Sequence, residues 1–364
     1  MDISDRLTQI ASRLIDQEKA RVIVPPQRPS TGHWFGGGNL TRDDKGTHWL
    51  VGRYRNQGDS RTGLGAGERG LELAIFRSDD LGDNFEKVVS FSKAELNVGN
   101  REVLSIEGTA LRFIDGGVEL FVSTEKKGID YPKGLESFLK PGTGVWTIDR
   151  MRADSVQELA NAKIDTVLET SDPRFVHIKD PFLGTHQGQD CLLFCTHPFC
   201  WTSSNTGYVS LSEGELTAAN ANMTFFPRGY AWDVAITRGT ALLKLPRVGV
   251  CADRELSLFF YDGGECVRNL DEHTAAVKRP RGYSCEELGG LAYCEYDDLH
   301  RVQRLSITSP LFVSPHGTGC SRYVDVLATD DRYIATWQQA QADGSQPLVM
   351  NVVPQSEVEA ILNA

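Results

Sequence analysis

No apolar stretch in the 364 residues approaches the roughly 20 that a membrane-crossing helix needs. The first residues, Met1 to Arg6, are acidic and amphipathic and lack the basic region and apolar core of a secretory signal, so the expected location is cytoplasmic, with no membrane partner. No dense Lys/Arg stripe is present, and 38 basic residues stand against 49 acidic ones for a formal net charge of −11. Phosphate backbones are repelled by that balance, which argues against nucleic acid as a partner. The one basic run, Lys278-Arg279-Pro280-Arg281, reads as a solvated loop. CxxC spacing is missing too. The eight cysteines (191, 195, 200, 251, 266, 285, 294, 320) fall in or beside predicted strands and read as reduced, buried thiols, with a disulfide or a metal cluster of Cys191, Cys195, Cys200 and His197 as the alternatives. P-loop, dinucleotide fingerprint and Ser-His-Asp arrangement are all absent, and neither a cofactor nor a metal is expected.

What is present is a recurring phrase, an acidic or polar residue beginning an apolar strand. His177-Ile178-Lys179-Asp180-Pro181-Phe182 is its clearest instance, with Pro181 fixing the backbone next to the carboxylate. Ser105-Ile106-Glu107-Gly108, Trp232-Asp233-Val234 and Ser321-Arg322-Tyr323-Val324-Asp325 are related. Units of this kind arranged radially bring their first strands, and the carboxylates with them, to one axis. Repeat starts near 33, 107, 180, 233 and 321 therefore predict an all-β, five-bladed β-propeller with a central acidic pocket. Long helical periods are few, which argues against an α/β barrel.

Along the chain, Ile3, Leu7, Ile10, Leu14 and Ile15 put an apolar stripe on a helix within residues 1–20, expected to pack outside the ring formed by residues 21–364. Arg21-Val22-Ile23-Val24 reads as a short strand able to pair with the last blade and leave no open sheet edge. Asp115-Gly116-Gly117 marks a hairpin between two strands, Glu125 to Lys127 a loop, and Ala153 to Leu168 a helix-like or irregular outer segment. Leu305 to Leu311 is expected at the outer edge of the fourth blade.

Ser78-Asp79-Asp80-Leu81-Gly82-Asp83-Asn84-Phe85 fits the Asp-box turn and resembles those of sialidase-type blades. Asp180-Pro181-Phe182 looks like a strand-start motif of the five-bladed propeller glycosidases and glycoside phosphorylases. Those include arabinanase-like, fructosidase-like and mannoside-phosphorylase-like families. The layout from Leu291 through Ser309-Pro310-Leu311 to Ala342-Asp343-Gly344 is similar to the last part of the mannoside-phosphorylase-like families. The chain departs from their pattern at Gly37-Gly38-Asn39-Leu40, where Asn-Pro-Gly is usual, and at Glu107-Gly108-Thr109, where Glu-Asp-Pro is usual. The resemblance implies the fold and a chemistry at glycosidic bonds.

Glycoside cleavage needs one carboxyl to protonate the leaving oxygen and a second group to activate water or attack the sugar. The candidates are Asp180, as base or as the group that tunes the acid, then Glu107, Asp233 and Glu286, with Glu287 beside it. Each has a plain alternative: a turn cap for Asp180, a surface loop for one of the two glutamates, and blade-wall packing for Trp232 next to Asp233. Candidate substrate-binding residues are His33, Trp34, Arg53, Arg55, His177, His197, Trp232, Arg238 and Arg322. Several arginines in one funnel would suit an anionic sugar or a phosphate co-substrate. The function expected is hydrolysis of a terminal sugar from a small oligosaccharide or glycoside. Phosphorolysis is the first alternative, and a non-catalytic sugar- or protein-binding propeller the second.

Overall fold

The computed structural model describes residues 2–56, 68–80, 84–139, 141–200, 203–212, 214–265 and 287–364. Five antiparallel sheets follow one another along the chain. Blade I runs from Trp34–Gly36 and Leu40–Arg42 through His48–Asn56 and Glu68–Ser78 to Glu86–Ser92. Blade II comprises Glu102–Ile114, Gly117–Lys127, Val145–Ala153 and Ile164–Leu168. Blade III is His177–His186, Gln189–His197, Asn205–Ser210 and Asn222–Phe226. Blade IV is Ile236–Lys244, Leu256–Gly264, Leu288–Glu295 and Gln303–Arg304. Blade V has Ser321–Ala328, Arg332–Gln339 and Leu348–Pro354. Its fourth strand is Arg21–Val24 from the other end of the chain, with Arg21 opposite Met350 and Val24 opposite Leu348. This is the closure expected of that segment, and it covers an edge that would otherwise expose unpaired backbone groups.

Alternation along the strands explains the ring. Successive side chains point to opposite faces of a blade, so each blade serves two neighbours. In blade I, Val51 and Ile75 pack with Val103, Leu111 and Leu120 of blade II, whereas Leu50, Ala74 and Phe76 pack with Ile334, Leu348 and Met350 of blade V. Blades II and III share Phe121, Ile148, Leu192 and Phe194; blades III and IV share Phe182, Leu193, Phe226 and Phe259. Blades IV and V meet around Leu258, Phe260, Trp337 and Val349. Each junction thus has its own apolar core. The α1 helix, Ile3–Leu14, lays Leu7, Ile10 and Leu14 on this last core, beside a second helix, α2, at Gln355–Asn363.

Several local expectations are corrected. Glu125 to Lys127 is not a loop but the end of the strand Gly117–Lys127, with Glu125 and Lys126 buried and Lys127 exposed. Residues 153–168 carry a short 3-10 turn at Gln157–Asn161 and then the outer strand Ile164–Leu168. The outer strand of blade IV is Gln303–Arg304, ahead of the expected Leu305 to Leu311. Helix α2, with only Val358 and Leu362 buried, was not anticipated. Leu81 to Asp83 of the Asp-box-like segment lie outside the described residues. No helix among the described residues is long and apolar enough to cross a membrane.

Candidate active site

The inner strand of every blade is interrupted at a similar level. Its register slips between Ile106 and Thr109, Lys179 and Phe182, Gly239 and Ala241, and Arg322 and Asp325, and in blade I it breaks at 37–39. A bulge inserts an unpaired residue and re-aims the side chains around it. Here the re-aimed groups point at the axis, where Asn39, Thr109, Asp180, Thr240 and Tyr323, one from each blade, line a common cavity. Two of these sites require glycine. Gly37 has φ +74°, and a Cβ there would lie 2.1 Å from Arg53 Nη1; one on Gly108 would lie 2.7 Å from the Asp180 Cα.

Asp180 is therefore a bulge residue inside the strand His177–His186, not its first residue, and its φ of +52° is in the left-handed region. The conformation is held from three sides. Ser123 Oγ accepts from the Asp180 N–H (3.0 Å), Oδ1 accepts from Gly108 N (2.9 Å) and Oδ2 from Arg238 Nη1 (3.1 Å). Tyr323, also at φ +52°, donates its N–H to Asp262 Oδ2 (3.1 Å). Its ring lies 4.0 Å from the Arg238 guanidinium carbon and 5.2 Å from that of Arg53.

Charges alternate around this axis. Arg53 Nη2 donates to Glu107 Oε2 (3.4 Å) and to the Tyr323 hydroxyl (3.1 Å). Arg238 Nη2 donates to Asp262 (2.7 Å) and Glu287 (2.8 Å), and Arg322 closes on the same Glu287 oxygen. Lys179 Nζ is 3.6 Å from Asp180 Oδ2, and Arg69 Nη2 is 2.8 Å from Glu125 Oε2. Arg55 and Arg322 both lie against the Trp34 ring, at 4.5 and 4.1 Å. The side chains of Lys179 and Glu287 keep 16% of their surface, against 3% for Asp180 and 7% for Glu107, so these two open furthest toward solvent.

Protonation follows from this packing. Burial would push Glu107 up, but Lys179 and then Arg53 outweigh it and hold the carboxyl below its ordinary value. Asp180 and Glu287 are likewise buried, yet Lys179 and Arg238 for the first, and Arg238 and Arg322 for the second, hold them well below the carboxylate range. Burial prevails at Asp262, pushed up to about 6 despite Arg238, and at Glu125, pushed up despite Arg69. His197 is pushed down to about 3 by burial and by Lys179, so its imidazole is neutral at pH 7.

Of the candidate residues, Asp180, Glu107, Arg53, Arg238 and Arg322 meet in one cluster, with Arg55 and Trp34 at its side. His177 supports it from behind, its Nδ1 accepting from Trp146 N (3.4 Å) and its Nε2 facing the Tyr131 hydroxyl at 3.2 Å. His197 faces Cys195 Sγ at 3.4 Å, and His33 bonds Ser30. Asp233 and Trp232 are not brought to the axis. Asp233 is fully buried and holds Arg304 of the outer strand (3.0 Å), while Trp232 stacks on Tyr261 and donates to Ser306 O. The pair serves the wall between blades III and IV. Glu286 lies outside the described residues; the neighbouring Glu287 is in the cluster.

Lys179, Tyr323, Asp262, Glu125 and Arg69 were not singled out in the sequence. Asp262 and Glu125 share a signal, a carboxylate just after the apolar part of the second strand, paired with Arg238 and Ser105 of the inner strand. Cys191, Cys195, Cys251 and Cys294 are buried free thiols; Cys266 and Cys285 lie outside the described residues. Away from the axis, donor atoms of His186, Asp298 and His300 lie within 4.8 Å of one another. Each is already engaged: His186 Nδ1 accepts from Leu299 N, His300 Nε2 meets the Tyr208 hydroxyl, and Asp298 caps a turn and pairs with Arg301. That group holds the loop together.

No family model and no curated protein matches the chain. Solved structures do match its fold. An α-L-arabinofuranosidase from Lactobacillus brevis aligns at TM-score 0.57 and 10% identity over 92% of this chain and 94% of its own. A protein described as a glycoside hydrolase aligns at 0.60 and 12% over 97% and 96%. The GH93 α-L-arabinofuranosidase of Fusarium graminearum, in complex with arabinobiose, aligns at 0.50 and 11% over 93% and 98%. The expected five-bladed propeller fold is thereby established.

Proposed function

We infer that this protein is a glycoside hydrolase that removes a terminal sugar from a small glycoside at the axial cluster. The observation that carries the reading is the meeting of Glu107, Asp180 and Glu287 on one axis with the cations that set their charge, in a fold whose solved neighbours include named glycosidases.

In this reading Glu287 is the base or nucleophile. It is ionised, fixed by Arg238 and Arg322, and the most open of the three carboxylates. Glu107 is the acid. Its charge survives burial only through Lys179 and Arg53, so a substrate that engages those cations lets burial raise the carboxyl and load it with a proton. Asp180 orients Lys179 and Arg238 and does not touch substrate. A second reading, a non-catalytic sugar-binding propeller, is favoured by one observation: Glu107, Asp180, Glu125, Asp262 and Glu287 are all ion-paired within the protein.

The test is a panel of chromogenic and natural disaccharide glycosides, with and without inorganic phosphate, with product anomers followed by NMR. Free sugar released without phosphate supports hydrolysis, and the first-formed anomer distinguishes retention from inversion. Sugar phosphate formed only with phosphate replaces hydrolysis by phosphorolysis. No turnover on any member would leave the binding reading.

A further inference from the structure

Arg55 is the odd member of the axial cluster. Its guanidinium is fixed by the Trp34 ring opposite it on the neighbouring strand, and Arg322 lies against the same ring. The residue keeps 3% of its surface, and among the described residues neither Nε nor Nη2 has an acceptor. Arg53, Arg69, Arg238 and Arg322 each hold a carboxylate. A guanidinium buried without an acceptor is costly, because it has given up water and received nothing in exchange.

The charge count points the same way. Arg53, Arg69, Lys179, Arg238 and Arg322 are each paired with one or more of Glu107, Glu125, Asp180, Asp262 and Glu287, so these ion pairs leave one cation over, and among the described residues Arg55 is that cation. A single carboxylate answers that excess and offers two coplanar oxygens to a planar fork of N–H donors. A phosphate dianion would overshoot it.

We propose that the sugar bound at the axis is a hexuronic acid or its glycoside, and that Arg55 is the specificity residue that takes its carboxylate. The assignment deepens the glycosidase reading and rests on it for turnover, but binding can be measured without any reaction.

Titration calorimetry of the whole protein with galacturonate and glucuronate against galactose and glucose tests it. At least one hexuronate is expected to bind ten-fold or more tightly than its neutral counterpart. Arg55→Gln is expected to erase that preference. Equal binding of acid and neutral sugars by the wild type overturns the proposal even if the variant does not fold, and so does a preference that survives Arg55→Gln. Binding of inorganic phosphate with no hexuronate binding moves the site to free phosphate and also overturns it. Hexuronate binding without turnover of any glycoside sinks the hydrolase reading and leaves the subsite standing. Turnover of neutral glycosides with no preference for uronates does the reverse.

Discussion

Two sets of buried charges, a short distance apart along the chain, behave in opposite ways. In blade II, Lys126 and Asp149 are sealed inside the sheet, matched one to one, and saturated: Lys126 Nζ donates to Asp149 (2.6 Å) and Thr147 (2.5 Å), and Asp149 also accepts from Thr124 and Thr166. At the axis the pairing is incomplete: among the described residues one arginine has two buried donors without an acceptor, and two charged side chains remain partly open. A closed and balanced pair is complete as it stands. An open and unbalanced cluster calls for a ligand to complete it.

The most severe break in that contrast is Glu287→Gln. Turnover per folded molecule on the best substrate of the panel should fall by about a thousand-fold, within the range expected for loss of a catalytic acid or base. Retention of activity within three-fold would remove Glu287 from the chemistry.

Lys126→Met should do the opposite. Leaving Asp149 buried without its cation costs about 3–5 kcal/mol in denaturant unfolding, while kcat and KM of the folded fraction stay near wild type. A variant equally stable but inactive would erase the distinction between the two sets.

A smaller effect separates the two sides of the axial cavity. Asp325, which accepts from Leu40 N (2.8 Å), is pushed up to about 7 by burial, and Asp262 up to about 6. An unfolded aspartate releases its proton near pH 4 (about 3.9), so between about pH 4 and 7 the folded chain binds more protons and its stability falls as pH rises. Asp180 and Glu287, held low, work the other way and withdraw stability as pH drops below the ordinary carboxylate range. Asp325→Asn should therefore melt higher than wild type at pH 8 and about equally at pH 4.5. Equal melting at both pH values would place the proton elsewhere.

Least of all, a chelator should shift the melting temperature by less than about 1 °C and leave turnover unchanged, since the donors of His186, Asp298 and His300 are engaged within the protein. A larger shift would mean that this loop, and not only the axis, binds a ligand.

The five inner strands were legible because each repeats one arrangement, a polar residue at the head of an apolar run, and Arg21–Val24 was legible as a strand without a hairpin partner. The bulges were not. A one-residue slip leaves no compositional trace, and it turns Asp180 from the head of a strand into its pivot. Nor does a charged residue that ends an apolar strand say whether it meets solvent or another blade. Glu125 read as loop and is fully buried at the axis, whereas Asp233 read as axial and is spent on Arg304. Sequence shows where an inner strand runs, but Asp180 and Glu107, read as strand starts, lie inside their strands, and the radial position of a carboxylate is decided by neighbours that are distant along the chain.

The pairing of Arg21–Val24 with Leu348–Pro354 also bears on the order of assembly. A ribosome makes the first of these strands long before the second, so the N-terminal segment must wait, unpaired, while four blades emerge. Joining the two is the longest loop closure among the strand pairings described, a contact whose entropy cost falls at the end of the folding route and not at its beginning. The seam is then the last part to form and the natural place for the ring to open, while the shorter-range blades keep their own pairings.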